Sequence, residues 1–192
     1  MASDPFEEFQ VWFEQARHRE PSDHDAASVA SVSATGRPSN RMVLMRTYDA
    51  RGFVFYTNFD SRKAQDFATN PVAAMCFHWK STARQIRIEG SIEIVDEAEA
   101  DAYFASRPEE SQIGAWASTQ SQLLESRRTL ERRFAEFSEK FAGAKIPRPD
   151  FWSGYRLVPD SFEFWDKRPF RLHDRSLYTR EDSAWTVVKL YP

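Results

Sequence analysis

The eight residues RPFRLHDR, 168 to 175, bring Arg168, Arg171, Arg175, His173 and Asp174 together near the end of a chain with a formal net charge of −3. Guanidinium forks bind phosphate or carboxylate oxygens bidentately, and charge-assisted hydrogen bonds are stronger than neutral ones. Similar groups recur elsewhere. Arg41 and Arg46 bracket an apolar stretch in NRMVLMR, and Ser61, Arg62 and Lys63 follow GFVFYTN in the polar turn FDSRKAQ. In YFASRPEESQIGAW, Tyr103, Arg107 and Ser111 stand at four-residue steps, so two hydroxyls and a guanidinium can converge from one helical face and its exit on a second phosphate. Pro108 interrupts that helix before its last step. Singly, each cation reads more readily as a solubilising surface group; their clustering is what favours anion sites. In an extended segment, Arg171, His173 and Arg175 would face one side and Leu172 and Asp174 the other.

Several reaction classes lack their signatures. There is no Walker loop, G-x-G-x-x-G, HExxH, CxxC or G-x-S-x-G, and His18, His24, His78 and His173 are scattered without metal-ligand spacing. No metal is expected. The lone Cys76, in AAMCFHW, has no partner for an intramolecular disulfide and reads as a core thiol in a reducing compartment. With a pI of about 5.9 and acids interleaved with bases in ESRR and ERR, nucleic acid is not an expected partner. The acidic MASDPFEEFQ has no apolar signal core, and no stretch approaches ~18 apolar residues, so the expected location is the cytoplasm, away from membranes.

The elements that must position these groups follow from periodicity. A length of 192 residues suits one domain, 1–192. Asp4 can cap and Pro5 can open a helix in which Phe6, Phe9, Trp12, Phe13 and Ala16 form a stripe. From Ala26 to Val95, SVASVSA, NRMVLMRTY, GFVFYTN, VAAMCFHW and RQIRIEGSIEIV alternate with the turns TGRPS, DARG and TNP. That texture predicts an antiparallel sheet curling into a barrel, with a bulge at Gly90. Helices are expected over 97–106 and roughly 120–141, the second striped by Leu123, Leu130, Phe134, Phe137 and Phe141. YRLVP, SFEFW, SLYTR and AWTVVKL read as closing strands, the last two joined across Glu181, Asp182 and Ser183. The class is α+β.

Taken in order, RMVLMR, GFVFYTN, SRKAQ, NPVAAMCFHW, RQIRIEG, YFASRP, SQIGAWASTQS, WSGYRLVP, EFW and RLHDR resemble the FMN-dependent pyridoxamine 5′-phosphate oxidases over about residues 4–192. The resemblance implies a split β-barrel homodimer with FMN in clefts at the subunit interface. It assigns Arg41, Met42, Val43, Leu44, Met45, Arg46, Tyr56, Thr57, Arg62, Lys63 and Gln85 to FMN, together with Gln120, Ser121, Trp165 and Arg175. Tyr103, Arg107 and Ser111, with Arg46, match the cup for the substrate phosphate, and Arg171 and His173 match a catalytic pair beside the reacting carbon. The implied activity oxidises a phosphorylated B6 vitamer to pyridoxal 5′-phosphate, with O2 as acceptor and H2O2 released. Arg46 stands where the family usually carries Lys, and DKRP replaces a usual Gln-Gly after the tryptophan. A longer N-terminal arm of some relatives is also expected to be missing. The rival expectations are an oxidase of the same fold acting on a phenazine precursor, and a non-catalytic FMN or pyridoxal phosphate carrier.

Overall fold

Asp4 caps the first helix, α1 (Pro5–Arg19), accepting a hydrogen bond from the Phe6 amide at 2.9 Å, while Pro5 sits where no amide donor is needed. The computed structural model describes residues 4–182 and 184–192. The apolar stripe of α1 is buried as its spacing predicts: the Phe9 ring lies 4.8 Å from Phe53, 4.9 Å from Tyr48 and 5.5 Å from Phe77, each contact edge to face. Burying one such ring stabilises the fold by about 1.5–3 kcal/mol, and the ring geometry adds ~0.5–1.5 kcal/mol.

The strands form one antiparallel sheet. β1 (Ala26–Val32) and β2 (Pro38–Leu44) make a hairpin turning at Gly36, whose φ of 77° favours glycine. β3 (Thr47–Asp49) and β4 (Gly52–Asn58) follow, then α2 (Arg62–Thr69), β5 (Val72–Trp79) and β6 (Arg84–Ile94). Next come α3 (Glu97–Ser106), α4 (Glu109–Ala117), α5 (Arg127–Lys140) and β7 (Trp152–Asp166). A 3-10 turn at Pro169–Arg171 leads to the hairpin of β8 (Asp174–Glu181) and β9 (Ala184–Leu190).

The order β2-β1-β5-β6-β7-β4-β3 has β8 and β9 branching from β7. The length of β7 is the cause: its first part pairs with β4, its last part with β8, and β6 runs along both. Met45 extends the β1–β2 hairpin by donating its amide to the Asp25 carbonyl at 2.9 Å, and at the far ends of the order Arg46, just past β2, donates to Val54 of β4 at 2.8 Å. This last bond draws β2 towards β4, so the sheet curls into the split barrel. The expected bulge lies between Glu89 and Gly90, opposite Pro159. A Cβ on Gly90 would stand 2.0 Å from the Val158 carbonyl oxygen, so backbone approach there requires glycine.

Some expectations need correction. YRLVP and SFEFW lie on one continuous strand, β7, because Pro159 falls at the bulge where its missing donor is tolerated. The helix expected from about 120 starts at Arg127, where Ser126 caps it by accepting from the Thr129 amide at 3.2 Å. Leu123 lies outside it and is fully exposed. Pro108 ends α3 and stands at the cap of a further helix, α4, that periodicity did not announce. Cys76 is half-buried on the outer face of β5, between core-facing Met75 and Phe77, and burial pushes its thiol up. Of the expected turn at 181–183, Glu181 ends β8, and Ser183 lies outside the described residues. Among the described residues no helix is long and apolar enough to cross a membrane.

Candidate functional site

Between the curled sheet and helices α3 and α4 lies a cavity of about 760 Å³, within the ordinary range for small-molecule sites. Of the residues assigned to FMN, Arg41, Met42, Val43, Leu44, Arg46, Tyr56, Thr57, Arg62, Lys63, Gln120 and Ser121 line it. Tyr103, Arg107 and Ser111 line the same cavity. Alternation along β2 explains part of this: Arg41 and Val43 turn to the half-buried side, while Met45 is buried in the core.

One group of cations gathers around α2. Lys63 is buried and donates to Thr57 Oγ1 at 2.7 Å, Gln120 Oε1 at 3.0 Å and Ser61 Oγ at 3.3 Å, all uncharged acceptors. Arg41 is held by the Val29 carbonyl at 3.1 Å and by Ser31 and Ser39 hydroxyls at 2.8 Å. Burial, followed by the nearby Arg41, pushes Lys63 down to about 8. Burial likewise lowers Arg41, with Asp66 opposing and Arg62 adding to the fall. Arg62 and Lys63 also occupy the first turn of α2, where the helix dipole disfavours cations, and Ser61 makes no side-chain cap there. Three cations crowded at an uncapped helix start, with Asp66 as their nearby carboxylate, fit a phosphate, which would supply further counter-charge.

A second group lies beneath α3 and α4. Tyr103 projects from α3, Arg107 ends that helix and Ser111 opens α4, so the break at Pro108 brings all of them to one cavity. The Arg107 guanidinium lies 4.7 Å from the Trp152 ring centre, and its Nη1 is buried without a hydrogen-bond partner. Burial lowers its pKa, with Tyr103 opposing and Arg46 adding to the fall. Tyr56 stacks on Tyr103 at 3.9 Å and on Trp152 at 5.3 Å, which braces the wall between the cation groups. Arg46 reaches the cavity too, although its Nη1 also pairs with Asp25 at 3.1 Å. An orphaned guanidinium beside hydroxyls suits a second anion.

The remaining assigned residues lie elsewhere on the chain. Gln85, Trp165 and Arg175 are cross-strand neighbours on β6, β7 and β8. Arg175 donates to Glu163 at 2.8 Å and to the Tyr191 carbonyl at 2.9 Å. Arg171 and His173, with Trp165, His78 and Lys167, line a separate cavity of about 470 Å³. The expected extended alternation through Arg171 fails, because Pro169 fixes a tight turn in which Phe170 and Arg171 take φ of 58° and 64°. Arg175 does not line the cavity that holds Arg171 and His173. A single chain therefore gathers most of the assigned residues into two cavities, with Met45 in the core and Gln85 and Arg175 lining neither. Trp152 and Asn58, which also line the larger cavity, were not singled out by sequence. Trp152 stands in the recognised string WSGYRLVP, and its aromatic bulk beside a strand start was the available signal.

Comparison with known proteins shows what the chain is similar to. Residues 13–141 match the family described as pyridoxamine 5′-phosphate oxidase, and residues 152–192 match a pyridoxine 5′-phosphate oxidase C-terminal dimerisation region. A pyridoxine/pyridoxamine 5′-phosphate oxidase of Caulobacter vibrioides is 56% identical over 189 residues, covering 98% of this chain and 85% of the relative. One from Rhizobium meliloti is 52% identical, covering 100% and 94%. Among solved structures, PhzG from Burkholderia lata, in complex with tetrahydrophenazine-1-carboxylic acid, is 31% identical with a TM-score of 0.94, covering 100% of this chain and 94% of that one. An FMN-binding protein of Nostoc punctiforme, 18% identical with a TM-score of 0.80 and full coverage of both chains, shares the fold.

Proposed function

Because the chain belongs to the pyridoxamine 5′-phosphate oxidase family, we propose that it is the FMN-dependent oxidase that converts pyridoxamine 5′-phosphate or pyridoxine 5′-phosphate to pyridoxal 5′-phosphate. The observation that carries this reading is the pair of cation groups in one cavity, Arg41, Arg62 and Lys63 on one side and Arg107 with Arg46 on the other. Two phosphorylated ligands bound side by side would use both. FMN would supply the two-electron redox chemistry here, an acceptor for the electrons lost at substrate C4′ that would be reoxidised by O2 to give H2O2. Lys63, Arg41 and Arg62 would hold the flavin phosphate, with Thr57 and Gln120 fixing the ammonium between them. Arg107, Tyr103, Ser111 and Arg46 would hold the substrate phosphate, which orients the ring for reaction. Arg171 and His173 would then contact the reacting end.

The test is anaerobic mixing of the yellow protein with each substrate. Pyridoxine 5′-phosphate should bleach the flavin, and a phenazine precursor, which has no phosphate for Arg107, should not. The reverse pattern would transfer the chain to the phenazine reading suggested by PhzG, and no bleaching with any of them would favour a carrier.

The same reading makes the protein a homodimer. Its support is that Gln85, Trp165, Arg171, His173 and Arg175 do not line the larger cavity, while all of these except Gln85 belong to the matched dimerisation region. A partner subunit would bring this second set to the flavin. Light scattering should give twice the 22.4 kDa chain mass. A folded monomer that still retains FMN would refute the shared site.

A further inference from the structure

Between Trp165 and His173 the chain makes a tight loop with consecutive left-handed residues, Phe170 and Arg171, neither of them glycine. Side chains carrying a Cβ resist that conformation, so the surrounding structure must hold it. Within the loop, Leu172 donates to the Pro169 carbonyl at 3.1 Å, and at its neck Lys167 donates to Ala83 at 3.2 Å. The wider tie is made by Arg168. Its Nε donates to Asp174 Oδ2 at 2.6 Å, and its Nη2 lies 3.2 Å from Asp166 Oδ2. One planar fork thus joins the last residue of β7 to the first of β8, while Arg84 approaches the other Asp166 oxygen at 3.6 Å. Arg168 also donates its backbone N–H to His173 Nδ1 at 3.2 Å. With Nδ1 accepting, the proton of neutral His173 sits on Nε2. The imidazole is further fixed against Trp165, ring centres 4.5 Å apart, at the wall of the cavity it shares with Arg171.

We infer that Arg168 is a positioning residue for the oxidase reaction: by bridging Asp166 and Asp174 it holds Arg171 in place and fixes His173 as an Nε2–H hydrogen-bond donor towards substrate. This rests on the functional reading above for the oxidase activity and for the roles of Arg171 and His173. Arg168 and Asp174 are half-exposed, so their pairing adds little to global stability. What it changes is the fraction of molecules whose loop is competent.

In Arg168→Ala, kcat should fall about tenfold, inside the hundredfold that a ~1 Å misplacement can cost, while FMN content and Tm stay at wild-type values. Arg168→Lys should recover part of the loss. Arg168→Ala combined with Asp174→Asn should be no slower than the worse single variant, since both cut one tie. Nitrogen NMR of the FMN-loaded protein without substrate, assigned with His173→Gln, reads the tautomer directly: Nε2–H in wild type, a mixture in Arg168→Ala. Should Arg168→Ala lose FMN, Asp166→Asn supplies the same readings. A wild-type His173 protonated on Nδ1, an unchanged kcat, or losses that multiply in the double variant would each overturn the proposal. Wild type inert towards phosphorylated B6 substrates would sink the functional reading instead, leaving the tautomer measurement to decide the clamp.

Discussion

Arg107→Ala is expected to lower kcat/KM for pyridoxine 5′-phosphate by roughly a hundredfold or more, leaving FMN bound. A hydrogen bond to a charged group contributes about 1.5–3 kcal/mol, and a guanidinium can make two to one phosphate. Arg107 is the stronger candidate within the cup. Its Nη1 is buried without a partner and its guanidinium is braced on Trp152, whereas Arg46 already has Asp25 at 3.1 Å. Arg46→Ala should therefore cost less than Arg107→Ala, even though both cations line the cavity. Steady-state kinetics on the phosphorylated substrate and on unphosphorylated pyridoxine separate the roles. The unphosphorylated alcohol should react poorly and almost equally with wild type and variant, because it has no dianion to lose. A similar fall for both substrates would place Arg107 in the fold or at the flavin, and the cup would lose its main donor.

How far such a site can be read from sequence depends on whether its cause is local. The stripe of α1 was legible because Phe9, Trp12, Phe13 and Ala16 share one face at helical spacing, and that face is the buried one. Gly90 announced its bulge because a Cβ there meets the neighbouring backbone. Local punctuation misled where one residue serves two elements. Pro108 reads as a helix stop, yet proline is also favoured at helix starts, and here it separates α3 from α4. Leu123 kept phase with a helix it does not join, since Ser126 sets the start by capping.

Site residues followed the same division. Tyr103, Arg107 and Ser111 could be grouped by four-residue steps, and they do line one cavity, although two helices rather than one present them. The turn at Pro169–Arg171 defeated simple alternation, because positive φ at Phe170 and Arg171 leaves no compositional mark without glycine. Nothing local says that Gln85, Trp165 and Arg175 stand side by side. Strand pairing across β6, β7 and β8 places them there, and only the resemblance to a family grouped them beforehand.

FMN affinity should weaken as pH rises above about 8, and Lys63 is the reason. Burial, and then the neighbouring Arg41, hold its ammonium at about 8 in the free protein, against an ordinary value of 10.5. A bound phosphate favours the charged form, so above that pH binding must take up a proton, and Kd should rise by up to about tenfold per pH unit. The stability of the FMN-free protein should run the other way. Between about 8 and 10.5 the unfolded chain keeps the proton that folded Lys63 has released, so this group makes unfolding harder as pH rises. Opposite slopes for affinity and stability distinguish Lys63 from general alkaline unfolding, which would weaken both. Lys63→Met, which keeps an unbranched side chain but removes the charge, should weaken FMN binding at neutral pH by about 10- to 150-fold, the equivalent of ~1.5–3 kcal/mol, and flatten its pH dependence. Quenching of FMN fluorescence on titration with FMN-free protein measures both effects. A wild-type Kd that stays constant from about pH 7 to 9.5, or a Lys63→Met variant that keeps the wild-type slope, would remove Lys63 from the phosphate site and leave Arg41 and Arg62 to hold it.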